Sequence, residues 1–468
     1  MINTTPPRSG ETAGPSAGVE FKAFITRLHF YIGLFVGPFV LIAAVTGTLY
    51  VLTPQIEDHL YREQLRTSSA GESQPLAAQA EAARRFIGDE PTFFTVRPAP
   101  GPGWTTRVMF SEAGLGPSES RAIFVDPVTL DIRGDLIVYG TSGILPFRTR
   151  IDYLHRNLML GDFGRHYSEL AASWLWIATL GGVMLWWWRR DIHKAGRRKS
   201  NPALRTRRLH ALVGIWVALG AVFVSATGIT WSQWAGGRVD QFRAAVGWIT
   251  PSVSLALDEG NAASGHAHHD HEPSAAEAGA GPAAAHIAQL DRIHAVSRAA
   301  GLDSAMLEIR PPRSSGQAWL VREYDRSWPT QVDTIAIDPR SMTVTSRADF
   351  ETFPLVAKLI RWGIDLHMGI LFGVPSQILM AALGTALSVT ILYGYRIWWQ
   401  RRPAPGAPPQ TLIQRWSRLS LPLKSLTVLV SLALGWALPL VGGSLALFLL
   451  IDLARWRMAV RQPEKGGS

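Results

Sequence analysis

Not one of the 468 residues is cysteine. That absence excludes Cys-ligated iron–sulfur clusters, redox disulfides and the C-x-x-C-H attachment of c-type haem. Any metal or cofactor must then be held by histidine, carboxylate or other nitrogen and oxygen groups. The chain also lacks a G-x-G-x-x-G turn, a P-loop and an H-E-x-x-H helix, so no nucleotide or flavin site is visible and any electron donor is external. Charged residues are few, 18% against 47% hydrophobic, yet the formal net charge is +10. Nucleic acid is nevertheless not the implied partner. Between Arg189 and Arg208 lie nine basic residues and one acidic residue, directly after an apolar run. That is the positive-inside signature of a cytoplasmic loop beside a membrane span.

Long apolar runs are abundant, and so is Trp, with 18 copies, a residue that collects at the lipid–water interface. A span needs about 20 apolar residues. The expected organisation begins with a disordered cytoplasmic N-terminus at 1–20 and a first span at 21–52. A periplasmic domain at 53–165, a second span at 166–190 and the basic cytoplasmic loop at 191–207 follow. A third span at 208–231 leads into a second periplasmic domain at 232–376, with a low-complexity insert at 251–285, and then a fourth span at 377–400. After a cytoplasmic linker at 401–420 come a helical hairpin of two short spans at 421–455, interrupted at Pro439, Gly442 and Gly443, and a cytoplasmic tail at 456–468. An even number of spans keeps every basic cluster, and both termini, on the cytoplasmic side. Each outer segment reads as a small α+β unit. A helix (Gln74–Ile87; Ala284–Ala300) precedes strands at Thr92–Arg97, Thr105–Phe110 and Ala122–Val125, or at Ala305–Arg310, Ala318–Glu323 and Thr334–Ile337. Asp126-Pro127 and Asp338-Pro339 then signal turns before a last strand.

The chain repeats itself. Arg27-Leu28-His29 and Thr46-Gly47 recur 181 residues on, as Arg208-Leu209-His210 and Thr227-Gly228. Leu154-His155, Trp186-Trp187 and Asp126-Pro127 recur at an offset of 212, as Leu366-His367, Trp398-Trp399 and Asp338-Pro339. Each copy starts and ends inside, so the repeats run parallel, related by a pseudo-two-fold axis along the membrane normal. The fold expected is an α-helical transmembrane bundle of four core spans in two parallel repeats, plus the C-terminal hairpin, carrying two small outer α+β domains.

Four histidines obey the repeat: His29 with His210, and His155 with His367. Neutral imidazoles from facing helices can ligate a haem from both faces, and a two-fold axis brings equivalent histidines together. The alternative is that lipid headgroups wet interfacial histidines. His166 has no repeat partner and is an alternative ligand to His155 or a surface residue. The tract Gly265–Glu272 gathers His266, His268, His269 and His271, a weak site for zinc, copper or nickel, or an incidental insert. Arg148, Arg150 and Arg361 could steer an anionic chelate electrostatically, or contact lipid headgroups.

Span–domain–span halves, His29 and His210 at the openings of their spans, the Asp-Pro turns and the Leu-His pairs resemble the PepSY-associated transmembrane helix family, the iron-regulated membrane proteins that include ferrisiderophore reductases. The resemblance covers about 20–402. It implies PepSY-like domains, a bacterial inner-membrane location, and two b haems held by His29, His155, His210 and His367. It also implies reduction of a ferric siderophore or other metal chelate with release of Fe(II), fed by an unidentified cytoplasmic-side or membrane electron donor. The alternatives are a non-enzymatic PepSY regulatory module and a metal-transport accessory protein served by the His-rich loop. The transport reading meets an obstacle, because no span shows a central Asp, Glu or Lys.

Overall fold

The computed structural model describes residues 17–195, 202–257, 283–402 and 411–461, so the His266–His271 tract lies outside the described residues. In chain order the first helices are α1 (Ala17–Phe35), α2 (Gly37–Val51), α3 (Thr53–Leu60), α4 (Arg62–Leu65) and α5 (Leu76–Ile87). Strands β1 (Thr92–Arg97), β2 (Thr106–Ser111), β3 (Glu119–Val125) and β4 (Ile132–Tyr139) follow. Next come α6 (Pro146–Asn157), α7 (Gly161–Ala195), α8 (Pro202–Thr230), α9 (Trp234–Ala245) and α10 (Ala283–Ala299). Then come β5 (Leu307–Arg310), β6 (Trp319–Glu323), β7 (Thr334–Ile337) and β8 (Val344–Ala348). The chain closes with α11 (Leu355–His367), α12 (Val374–Gln400), α13 (Leu412–Ser417), α14 (Leu421–Ala437) and α15 (Pro439–Arg461). These form two compact units, one of 1–44, 165–239 and 385–468, the other of 45–164 and 240–384.

The first unit is helical. Among the described residues four helices are long and apolar enough to cross a membrane, within α7, α8, α12 and α15, and the bent pair α1–α2 makes up to five. The expected straight first span is instead bent by 56°. Pro38 is the cause: it has no N–H to give to the carbonyl four residues back, and its ring crowds that turn. The orphaned Leu34 carbonyl accepts a hydrogen bond from Tyr395 Oη at 3.1 Å, and Gly37 makes room, since a Cβ there would stand 2.8 Å from that oxygen. The C-terminal hairpin packs through small residues, with a Cβ on Gly442 falling 2.9 Å from Gly435 Cα.

Among the unbroken span helices, α7 and α15 each carry a buried carboxylate that acts as a cap. Glu169 on α7 accepts from the Trp234 and Ala235 N–H groups at 2.9 and 3.0 Å, at the start of α9. Asp452 on α15 accepts from Tyr31 Oη at 3.0 Å and from the Ile413 N–H at 2.9 Å. The hairpin, outside the sequence repeat, is thereby tied to α1 and α13.

The second unit holds the strands. The separate α+β units expected from sequence share one antiparallel eight-stranded sheet, ordered β4-β3-β2-β1-β5-β6-β7-β8. Each set of four is a meander, and the first strands of the two sets pair, Val96 opposite Ile309. That pairing removes two exposed edges at once. Helices α5 and α10 cover one face with a core that includes Val96, Phe110, Ile309 and Trp319. Asp291 on α10 accepts from the Leu76 and Ala77 N–H groups at 2.6 and 3.2 Å, capping α5 where Pro75 supplies no cap. Both Asp-Pro turns close alike: Asp126 accepts the Val128 N–H and Asp338 the Arg340 N–H, followed by left-handed Leu130 and Met342.

Near the β1–β5 seam, Glu308 is buried among Arg97, Arg310 and Arg322, with N–O distances of 2.5, 3.0 and 2.7 Å. The three guanidiniums hold its carboxyl well below the usual range against the opposing effect of burial. Glu308→Ala leaves those guanidiniums uncompensated, and breaking a buried pair costs about 3–5 kcal/mol. The apparent Tm of the solubilised chain should fall sharply. An unchanged Tm would mean that the cluster adds nothing to the sheet.

Candidate functional site

The four repeat-related histidines meet in two pairs, each within one compact unit. In the helical unit His29 on α1 and His210 on α8 have ring centroids 6.4 Å apart. In the sheet unit His155, at the end of α6, and His367, the last residue of α11, are also 6.4 Å apart. Imidazole–metal bonds are about 2.0–2.1 Å, so two rings on opposite sides of one metal have centres roughly 6 Å apart.

The supports of the first pair repeat as the histidines do. His29 Nδ1 lies 3.0 Å from the Ala178 carbonyl and His210 Nδ1 2.9 Å from the Thr390 carbonyl. Ala178 and Thr390 stand at the repeat offset of 212. A carbonyl only accepts, so each Nδ1 carries the proton and each Nε2 keeps the lone pair that binds a metal. Glycines clear the ring edges: a Cβ at Gly182 would stand 3.1 Å from His29 Cε1, and one at its equivalent Gly394 3.6 Å from His210 Cε1. Gly33 and Gly214, one turn beyond each histidine, match at the offset of 181. Sequence reasoning missed these glycines, although the same two offsets mark them.

At the second pair, Thr46 Oγ1 lies 3.0 Å from His155 Nδ1, and a Cβ at the adjacent Gly47 would come within 3.0 Å of His155 Cε1. Burial first, then the neighbouring His155, pushes His367 down to about 4. It is therefore neutral near pH 7, as a metal ligand must be. Among the described residues no group of three or more His, Asp or Glu could hold a metal ion, so each pair offers two nitrogens and no more.

The remaining sequence candidates fall elsewhere. His166 is half-buried on the first turns of α7, in the helical unit, whereas His155 belongs to the sheet unit. Arg150 is exposed. Arg148 and Arg361 are not the surface charges expected: Arg148 is only 8% exposed and lies over the Tyr50 ring, and Arg361 pairs with buried Asp365 at 3.0 Å. Their polar ends turn inward because α6 and α11 bury those faces. A cleft the sequence did not announce is lined by Arg97, Arg107, Trp104, Tyr324 and Met306. Arg97 Nη1 donates to the Ser142 carbonyl at 2.9 Å. Ser142 Oγ accepts from Arg326 at 2.8 Å, and Arg326 pairs at 2.6 Å with Asp365, two residues before His367. A polar path thus leads from the cleft to Asp365, on the same helix as His367.

Span helices, an antiparallel sheet and paired histidines define a mostly helical, multi-pass membrane protein with an attached sheet domain. The chain belongs to the family described as PepSY-associated TM region, whose match covers residues 26–401. No curated protein matches it.

Proposed function

We propose that this chain is a b-type haem oxidoreductase of a bacterial inner membrane, which reduces a ferric siderophore or another metal chelate on the periplasmic side and releases Fe(II). One observation carries the reading: two histidine pairs, each with ring centroids 6.4 Å apart and, among the described residues, neither with a third His, Asp or Glu to complete a bare-ion site. Each pair of imidazoles could hold the iron of a haem, whose remaining donors the porphyrin itself would supply. Bound there, haem b supplies reversible one-electron chemistry, and the external chelate takes the electron as Fe(III) goes to Fe(II).

The chain's own residues have distinct tasks. The Ala178 and Thr390 carbonyls orient His29 and His210, while Gly182 and Gly394 keep side-chain bulk away from the ring edges. The cleft with Arg97, Arg107, Trp104 and Tyr324 suits an anionic, partly aromatic chelate. The positive-inside pattern of the basic clusters supports a topology with the sheet outside and both termini inside. The two halves act as parallel repeats, each with its PepSY-like set of four strands.

A visible spectrum of the purified chain tests this. The expected result is a Soret band and a sharp reduced α-band of six-coordinate b haem, at two haems per chain. A colourless, correctly inserted protein that takes up no added haem would end the reading.

A further inference from the structure

Near the His155–His367 pair the fold buries a guanidinium that lacks a matching anion. Arg148 stands seven residues before His155 on α6, on the same helix face and about 10 Å along the axis. Its guanidinium lies 4.5 Å from the centre of the Tyr50 ring, and Tyr50 is one turn beyond Thr46, the residue that meets His155. Arg148 is 8% exposed, yet its Nε and Nη2 are buried without a hydrogen-bond partner. A buried charged donor left unmatched is costly.

Neighbouring carboxylates do not answer it. Asp152 on the same helix lies 3.9 Å from Arg156. Glu57 accepts the Arg148 backbone N–H at 3.0 Å, and burial pushes its own pKa up to about 7, against the lowering pull of Arg148. On α11, Arg361 stands six residues before His367. It shares one carboxylate, the fully buried Asp365, with Arg326. Arg326 is within electrostatic reach of both Tyr50 and Arg361. Arg326 and Arg361 thus share the one Asp365 carboxylate, and the two unmatched donors of Arg148 are left without an anion.

Resting on the haem reading above, we propose that Arg148, backed by Arg326 and Arg361, is the anchor for the propionate carboxylates of the group held by His155 and His367. Carboxylates suit the site because a guanidinium presents paired N–H donors in a planar fork. The anchor sits about two helical turns from the metal-binding nitrogens, a separation that the acidic arms of a porphyrin span from its centre. Arg148 is a binding residue here and takes no part in the redox step.

The test titrates the full-length apoprotein, carrying His29→Ala to silence the other pair, with haem b and with haem dimethyl ester. Haem b should bind about ten- to hundred-fold tighter than the ester, which cannot form the charge-assisted bonds. Arg148→Gln should remove that preference by weakening haem b alone, and Arg148→Lys should restore part of it. Because the ester comparison needs no change at Arg148, a folding defect in the variant cannot imitate the result. Equal affinity for acid and ester, or an unchanged haem b affinity in Arg148→Gln, would overturn the anchor while leaving the haem reading intact. Such a result would assign the charge to the chelate or a lipid phosphate. Failure of both compounds to bind would take down the haem reading as well.

Discussion

His155→Ala or His367→Ala should each halve the haem content, from two per chain to one, and His29→Ala or His210→Ala should each remove the other. Loss of one imidazole leaves a five-coordinate iron held from a single side. The ring centroids in each pair are only 6.4 Å apart, which leaves no room for a substitute side chain to reach in without rebuilding a helix. Gly182→Val should imitate His29→Ala, since even a Cβ there would stand 3.1 Å from His29 Cε1 and the branched methyls reach further. The measurement is haem per protein by pyridine haemochrome on each purified variant. Full content in all four alanine variants would refute the pairing. Loss confined to His166→Ala would move the second site into the helical unit.

Loss of either pair should also bring transmembrane electron transfer to the protein-free background in sealed vesicles, because the proposed function has the two sites act in series. The repeat supports that arrangement. His210 and Thr227 lie on the unbroken helix α8, and seventeen residues of helix rise about 26 Å, close to the roughly 30 Å of hydrocarbon in a bilayer. Thr227 is the repeat equivalent of Thr46, which meets His155. On the proposed topology one pair of histidines belongs to each membrane face, and neither would then serve both the inner donor and the outer chelate. The vesicles would carry a reductant inside, a ferric chelate outside and an external ferrous-specific chelator. Substantial Fe(II) formation by His29→Ala would show that the outer site takes electrons by another route.

Much of this was legible in the sequence because two offsets, 181 and 212, carry most of it. They bring together the histidines whose rings lie 6.4 Å apart in each pair, and β1 and β7 fall on the expected residues, Thr92–Arg97 and Thr334–Ile337. Local alternation and Asp-Pro turns report on a strand and its immediate neighbours. They say nothing of the β1–β5 seam, which joins segments more than 200 residues apart through edge pairing. The bend at Pro38 was written in the chain, but the apolar run around it masked the break. The inward turn of Arg148 was not visible at all, because a basic residue near a span reads as a surface charge until the packing of α6 is known.

The most direct measurement mixes the chemically reduced, haem-loaded protein with ferric siderophores and follows the α-band by stopped flow. The account predicts that the band decays as the chelate is added, with one Fe(II) captured for each haem reoxidised. A protein that carries both haems yet stays reduced before every ferric and cupric chelate tried would contradict the reductase reading.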